Sequence, residues 1–127
     1  MLRRLDPIAR QLESLGLDRV AAEQLSRAGT ILSVAAGTTL CREGDRGLEA
    51  FLILDGEAEV QLTGHPVRLG PGEVVGELAT LDHTRLRNAT VVAATDLLVL
   101  VFDVRTFTAL ADRPGLRRLL RPERTAA

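Results

Sequence analysis

The sequence predicts a mainly β protein, an antiparallel β-roll of the jelly-roll kind with helices before and after it. From Thr30 onwards glycines recur every few residues and separate short runs of β-branched and other apolar residues, as in antiparallel rolls and sandwiches. Before Thr30 and after Phe102, apolar residues instead recur at the three- and four-residue steps of helices. The 127 residues suffice for one hydrophobic core but not for two, so residues 1–127 are predicted to form a single domain.

Two helices are predicted over residues 5–27, where the apolar side chains follow helical spacing. Asp6 is followed by a proline, which is the pattern of an N-cap with proline in the first helical position, and Gly16 ends this helix. Asp18 is placed to cap the second helix, which an Ala-Gly pair ends. Residues 1–29 are therefore predicted to form the N-terminal helices.

The strands of the roll are predicted at residues 30–35, 38–42, 49–54, 57–62 and 66–69, with two more within 89–102. The dipeptide Asp55-Gly56 between the third and fourth runs predicts a β-hairpin with a turn of the primed kind. In the fourth run Ala58, Val60 and Leu62 alternate with polar residues, so these three side chains are predicted to face the core.

The last two strands are predicted to be joined by a turn at Thr95-Asp96, which completes a roll over residues 30–102. Asp103 then has the side chain and position of a helix N-cap. The C-terminal helices, together residues 103–121, are predicted at about 103–111 and 115–121.

Composition argues against several classes of function. Three Phe, no Tyr and no Trp weigh against a single-stranded nucleic-acid platform, which stacks bases on aromatic rings. A net charge of −1 provides no general attraction to nucleic acid or to acidic membranes. No apolar run approaches the roughly 18 residues of a membrane span, and the first residues lack the apolar region of a signal peptide. We therefore expect a cytoplasmic protein without membrane insertion or direct contact with nucleic acid.

The sequence offers no candidate catalytic residues and no metal site. His65 and His83 stand alone in predicted turns, whereas a metal site needs several ligands at suitable spacing. No Ser, Cys or Thr is accompanied by a base and an orienting acid, and Cys41 is interpreted as a small packing residue. We interpret the basic C-terminal cluster as a solvated helix face; its members are Arg113, Arg117, Arg118, Arg121 and Arg124.

Residues 70–91 contain the candidate site. Gly76 allows the backbone to approach a neighbour closely, and Glu77 then begins one or two helical turns. The start of a helix has N–H groups without helical partners and a partial positive charge, which suit an anion. Arg87 follows on the next loop with a planar fork that matches phosphate oxygens. These features predict a ligand that carries both a phosphate and hydroxyl groups.

At these residues the sequence resembles the cyclic nucleotide-binding domain family. The GELA sequence at 76–79, the ten-residue step from Glu77 to Arg87 and the ATV sequence at 89–91 are similar to its phosphate-binding cassette. Further upstream, segments similar to the family's strands and turns lie at 37–40, 43–45, 51–54, 56 and 59–60. The resemblance extends from about Gly37 to Leu110 and implies a short cassette helix beginning at Glu77.

The resemblance implies a role for each matching residue. Glu77 would accept a hydrogen bond from the ribose 2′-hydroxyl, and Arg87, rather than the nearby Arg85, would hold the cyclic phosphate. Backbone N–H groups or space for the ligand are expected from Gly76, Leu78 and Ala79. Secondary contacts are expected from Asn88, which departs from the Ser, Thr or Ala often found there, and from Ala89 and Thr90. The apolar floor for the base is expected from Val60, Leu62, Val75 and Val91.

The resemblance implies that the chain is a regulatory sensor that binds cAMP, with cGMP as the second choice of ligand. It implies no cofactor and no chemical reaction of the bound nucleotide. Binding would shift the C-terminal helices through Phe107 and Leu110, towards an effector protein or a second copy of the chain. Many relatives cover the base with a longer C-terminal helix, whereas here a lid must come from residues 116–120, come from a partner or be missing. A domain of this fold that has lost its ligand and binds proteins is the alternative, which Asn88 and the bulky Leu86 favour. A cupin-type enzyme lacks metal ligands.

Overall fold

A computed structural model describes residues 6–82 and 84–121, and of Leu78 only the backbone. Within these residues the chain forms five helices and eight strands. The helices are α1 (Pro7–Ser14), α2 (Arg19–Ala28), α3 (Glu77–Leu81), α4 (Val104–Ala111) and α5 (Arg117–Leu120). The strands are β1 (Thr30–Val34), β2 (Thr39–Cys41), β3 (Glu49–Asp55), β4 (Ala58–Gln61), β5 (Val67–Leu69), β6 (Val74–Val75), β7 (Thr90–Ala93) and β8 (Leu97–Asp103).

The strands form two antiparallel sheets of four strands each. One sheet has the order β1-β8-β3-β6 and the other the order β2-β7-β4-β5. Apart from β4 and β5, consecutive strands of the described chain lie in different sheets. This repeated crossing produces a jelly-roll-like double sheet, and the predicted mainly β fold with flanking helices is confirmed.

The hairpin predicted at Asp55-Gly56 is wrong, because β3 and β4 belong to different sheets. The turn exists, but it directs the chain across the roll, and Gly56 has φ +88°. A side chain there would collide with the backbone oxygen of Asp96 and with Oγ1 of Thr95, 2.8 Å away. The Glu57 N–H donates to the same Thr95 oxygen at 3.0 Å. An Asp-Gly pair thus indicates a tight turn, whereas the pairing of the flanking strands depends on which core each of them joins.

The apolar core has two parts that meet at the first sheet. Along β3, Leu52 and Leu54 pack with the helices, whereas Phe51 and Ile53 point between the two sheets. Because β3 is buried on both faces, its FLIL sequence shows no alternation of polar and apolar residues. Full burial of one such side chain stabilises the fold by about 1.5–3 kcal/mol.

One part of the predicted alternation in β4 is wrong. Ala58 and Val60 are buried, as predicted, but Leu62 is 41% exposed. The strand ends at Gln61, and its last described pair with β7 is Gln61 with Thr90. Leu62 lies beyond this pair, where no neighbouring strand continues the pleat, so its side chain does not follow the inward alternation.

Aspartate side chains cap α1, α2 and α4, as the sequence predicts. The carboxylate of Asp6 accepts from the backbone of Ala9 at 3.1 Å, and its other oxygen accepts from the Ser26 hydroxyl at 2.8 Å, which ties α1 to α2. These two contacts hold the pKa of the Asp6 carboxyl below its usual value, so their contribution to stability is lost as the pH falls through that lowered pKa. Asp18 and Asp103 cap the other two helices.

The C-terminal helices pack against the first sheet. Phe107 and Leu110 of α4 are buried, as predicted, and the Phe107 ring lies 6.1 Å from that of Phe102 between centroids. The last helix, α5, begins two residues later than predicted, and both Leu116, directly before it, and Leu120, at its end, are buried. The described arginines of the basic cluster, Arg113, Arg117, Arg118 and Arg121, are exposed; Arg124 lies outside the described residues.

Candidate functional site

The guanidinium of Arg87 is buried beside the start of α3. Only 6% of Arg87 is exposed, although it carries a charge. Its Nη1 donates to the carbonyl oxygen of Gly76 at 2.6 Å, and its Nη2 donates to the carbonyl oxygen of Glu49 at 2.6 Å. Gly76 directly precedes Glu77, which is 2% exposed. The structure therefore brings the predicted arginine and the predicted glutamate to the same place.

Gly76 is required by its backbone and by its neighbour. Its φ of +83° lies in the left-handed region, which residues other than glycine rarely adopt. A Cβ at this position would also collide with the guanidinium of Arg87. The sequence predicted a close approach at Gly76, and in the structure the group that approaches is the arginine itself.

The loop between β2 and β3 holds the main chain of Arg87 in place. The Arg87 N–H donates to the carbonyl oxygen of Asp45 at 2.7 Å, and the Gly44 N–H donates to the carbonyl oxygen of Arg87 at 2.9 Å. Next to this pair, Arg46 and Leu86 form an isolated antiparallel bridge. The EGD sequence at 43–45 is thus the structural partner of the arginine, a role that its sequence did not indicate.

The same loop packs against α3. A Cβ on Gly47 would collide with the backbone of Ala79 and with the backbone nitrogen of Thr80, 2.6 Å away. The Thr80 hydroxyl donates to the carbonyl oxygen of Glu49 at 2.9 Å, the oxygen that also accepts from Arg87. Sequence reasoning missed both Glu49 and Thr80. A threonine at a buried position of a short helix is a sequence feature that could have drawn attention to Thr80. The contact of Glu49 is made by its backbone carbonyl, which residue type does not reveal.

Burial separates the two nearby arginines. The side chain of Arg85 is 59% exposed, and its Nε lies 3.4 Å from a carboxylate oxygen of Asp82. An exposed pair of this kind contributes little to stability, because water and salt screen it. The Thr84 side chain and backbone, more than Arg85, hold the pKa of the Asp82 carboxyl below its usual value. Arg85 is therefore a surface residue, and Arg87 is the arginine built into the cassette.

Comparison with known proteins identifies the family. The profile described as cyclic nucleotide-binding domain matches residues 31–113, which include α3, Arg87 and both sheets apart from the first residue of β1. The chain belongs to the cyclic nucleotide-binding domain family. None of the described helices of this domain is long and apolar enough to cross a membrane.

Relatives of this domain include signalling proteins. The cAMP-dependent protein kinase regulatory subunit of Schizosaccharomyces pombe is 42% identical over 96 residues, which are 74% of this chain and 23% of the relative. The Pycsar effector protein XpPycTIR of Xanthomonas perforans is 33% identical over 93 residues, which are 72% of this chain and 31% of the relative. The chain therefore spans less than a third of either curated relative.

Solved structures share the fold. The regulatory domain of Toxoplasma gondii PKA, solved with cAMP, has a TM-score of 0.68 and 26% identity over 91% of this chain and 49% of that one. A solved chain from a study of a cyclic-GMP-dependent signalling pathway in bacterial phytopathogenesis has a TM-score of 0.70 and 26% identity, over 83% of this chain and 89% of that one.

The other predicted site residues of this cyclic nucleotide-binding domain fall into three groups. Ala79 and Ala89 are buried next to the cassette, and the side chain of Leu78 is outside the description. Asn88 is exposed, and Thr90 is half-buried and accepts at Oγ1 from the Glu43 N–H at 3.0 Å.

Three of the four residues expected to form the base floor, Val60, Val75 and Val91, are fully buried between the sheets. They are thus part of the core, and Leu62 lies at its exposed margin.

Cys41 lies near the site but is buried in the core between the sheets. Burial raises the pKa of its thiol to about 11, the nearby charge of Arg87 lowers that pKa, and that of Glu77 raises it. The interpretation of Cys41 as a packing residue agrees with this environment, because a protonated thiol is a weak nucleophile.

Of the two histidines, only His65 lies in the part of the chain that is described. His65 is exposed, and His83 lies outside the described residues. Among those residues, no group of three or more His, Cys, Asp and Glu side chains is arranged to hold a metal ion.

Proposed function

We propose that residues 1–127 act as one sensor domain that binds a cyclic nucleotide, cAMP in preference to cGMP, at the cassette, residues 70–91. The observation that carries this proposal is the burial of Arg87 with its guanidinium held at the start of α3. Names of relatives support both ligands: the S. pombe relative is a cAMP-dependent kinase subunit, and a Caenorhabditis briggsae relative, 34% identical over 84 residues, is a cGMP-dependent kinase. We place its action in the cytoplasm.

In this proposal Arg87 binds the cyclic phosphate. Its guanidinium donates to two carbonyl oxygens and lies 3.5 Å from the Thr80 hydroxyl oxygen, and these three partners carry no formal charge. A guanidinium has five N–H donors in a planar fork, which can meet two phosphate oxygens at once. A buried cation is stabilised by an anion that also satisfies its donors, and a phosphate monoanion does both.

In the same proposal Glu77 selects the ribose. An ionised carboxylate only accepts hydrogen bonds, so it suits a hydroxyl, which can donate. Its position one residue after Gly76, whose carbonyl holds Arg87, would let one ribose phosphate ring meet both side chains. Asn88, Ala89 and Thr90 would add contacts, and Val60, Leu62, Val75 and Val91 would border the base.

We also propose that binding is passed to the C-terminal helices. The cassette helix α3 contacts α4, and α4 contacts α5. Phe107 and Leu110 of α4 lie in the core that these helices share with the first sheet. A ligand that draws the cassette inwards would therefore change the packing of α4, towards an effector protein or a second copy of the chain. Such a switch requires that the ligand bind the two helix positions with different affinities.

The test is calorimetry of the purified chain with cAMP and with cGMP. We expect binding of both, tighter for cAMP. Arg87→Ala should weaken binding at least about 30-fold, because it removes a buried charged partner. Arg85→Ala, the matched control, should change the affinity less than about twofold, since Arg85 is exposed. Circular dichroism should show that both variants are folded.

Two other outcomes would contradict the proposal. Similar losses in Arg85→Ala and Arg87→Ala would show that the wrong arginine was chosen. Absence of heat with either nucleotide at high concentration would favour the alternative, a domain of this fold that has lost its ligand and binds other proteins.

A further inference from the structure

The buried polar and charged side chains of the described chain occur together. Among residues 6–82 and 84–121 they are Glu77, Thr80 and Arg87. Thr80 is 0% exposed and lies on α3, one turn after Gly76. For packing alone, a fully buried position would favour an apolar side chain, because burying a hydroxyl is unfavourable unless the hydroxyl is hydrogen-bonded. The hydroxyl of Thr80 therefore calls for an explanation.

The hydroxyl of Thr80 forms a closed arrangement with Glu49 and Arg87. It has a single hydrogen, which it donates to the Glu49 carbonyl oxygen at 2.9 Å. Its oxygen therefore faces Nη1 of Arg87, 3.5 Å away, only as an acceptor. The Glu49 oxygen accepts in turn from Nη2 of Arg87 at 2.6 Å. Thr80 thus orients the carbonyl that holds one arm of the guanidinium and presents lone pairs to the other arm.

This arrangement differs from the usual one for a threonine in a helix. Such a hydroxyl commonly bonds the carbonyl one turn earlier in its own helix. Here that carbonyl belongs to Gly76, and it accepts from Arg87 at 2.6 Å and from the backbone nitrogen of Thr80 at 3.4 Å. The Thr80 hydroxyl instead crosses to Glu49 on β3, so it links α3, β3 and the arginine.

From this geometry we infer that Thr80 is a positioning residue that sets the guanidinium of Arg87 for an incoming phosphate. The inference rests on the proposed function, because it concerns the arginine that would bind the phosphate. A guanidinium that is already oriented loses less conformational freedom when the ligand binds, so the affinity is higher. The Thr80 hydroxyl should consequently affect both the affinity and the order of Arg87 in the ligand-free protein.

The first experiment measures cAMP affinity by calorimetry. Thr80→Val keeps the shape of the side chain but removes the hydroxyl, and it should weaken binding about tenfold. Thr80→Ser keeps the hydroxyl and should stay within about threefold of the wild type. Thr30→Val makes the same change on the exposed surface of β1 and should leave the affinity unchanged. Unaltered affinity in Thr80→Val, or equal losses in Thr80→Val and Thr80→Ser, would overturn the inference.

The second experiment needs no nucleotide. The Nε–H resonance of Arg87 is followed by ¹⁵N NMR and is assigned by its loss in Arg87→Lys. It should be sharp and distinct in the wild type and in Thr80→Ser, and it should broaden or move towards those of exposed arginines in Thr80→Val. An unchanged resonance in Thr80→Val refutes the positioning role even if cAMP binds. If the wild type binds no nucleotide, the proposed function fails, and this resonance still decides whether Thr80 orients Arg87.

Discussion

The left-handed backbone of Gly76, φ +83°, faces the guanidinium that it helps to hold, so a substitution there acts in two ways. Gly76→Ala strains the backbone and displaces Arg87 from its carbonyl partners. Gly64→Ala is the matched control, because Gly64 has φ +98° but nothing within 4 Å of a Cβ. We expect Gly76→Ala to lower the free energy of unfolding by about 1–3 kcal/mol more than Gly64→Ala in urea denaturation.

The binding data should separate these two glycines even more clearly. Gly76→Ala should lose most of its cAMP affinity, whereas Gly64→Ala should keep the wild-type value. If both variants unfold at the same urea concentration and bind equally well, the guanidinium moves aside without a penalty, and the fixed contact between Gly76 and Arg87 is refuted.

At the scale of single residues, the sequence identified the two charged side chains of the cassette but not their supports. Glu77 and Arg87 lie in a motif with recognisable spacing, and the structure buries both of them. For Arg87, the supports that the sequence did not indicate include a carbonyl oxygen of Glu49, a residue 38 positions before the arginine, and the hydroxyl of Thr80. Every residue has a carbonyl group, so residue type carries no information about which carbonyl will hold the arginine.

At the scale of elements, the contacts of α3 with α4 and of α4 with α5 lead to a prediction for hydrogen exchange. Addition of cAMP should change backbone exchange in α4 and α5 as well as in α3, by about threefold or more. This follows because a local change in packing alters the free energy of local opening. The edge strand β1, Thr30–Val34, serves as the control and should change little. Mass spectrometry of peptic fragments would make the measurement.

The proposed transmission fails if the exchange data show a different pattern. Slower exchange in α3 together with unaltered exchange in α4 and α5 would mean that the ligand binds without moving the C-terminal helices. In that case the proposed binding function stands, and the effector has to recognise the cassette itself.

Elements with local signals were predicted well, and their connections were not. The caps Asp6, Asp18 and Asp103 act within three residues of themselves, so local sequence is sufficient to find them. At Asp55-Gly56 the same kind of local signal correctly indicated a turn but wrongly indicated that β3 and β4 pair. Pairing depends on contacts with β7 and β8, which lie far along the chain.

At the scale of the whole molecule, Cys41 reports the opening of the roll, because it is buried between the two sheets. With a pKa of about 11, about one thiol in a thousand is ionised at pH 8, whereas in the unfolded chain, with a pKa near 8.5, it is about one in four. Labelling by a disulfide reagent at pH 8 should therefore be slow in buffer. It should accelerate in urea in parallel with the loss of circular dichroism.

The same pKa predicts how stability depends on pH. Because folding raises the pKa of Cys41, its contribution is fully present below the unfolded pKa, near 8.5, and is lost as the pH rises towards about 11. Cys41→Ser should reduce this alkaline loss of stability in denaturant titrations.

Rapid labelling of the wild type in buffer, at the rate of the unfolded chain, would contradict the burial of Cys41.

By itself, the sequence determined the features of this domain that depend on neighbours a few residues apart: the helix caps, the positions of seven of the eight described strands, the cassette motif and the resemblance to its family. The strand that it missed is the two-residue β6, which is recognisable only by its pairing with β3. The tertiary structure decided which strands pair, that Leu62 lies outside the pleat, and that Gly76 makes room for Arg87. The physical reason is range. Capping and turn preferences act over three or four residues, whereas a buried guanidinium is satisfied by whichever oxygen atoms folding brings next to it.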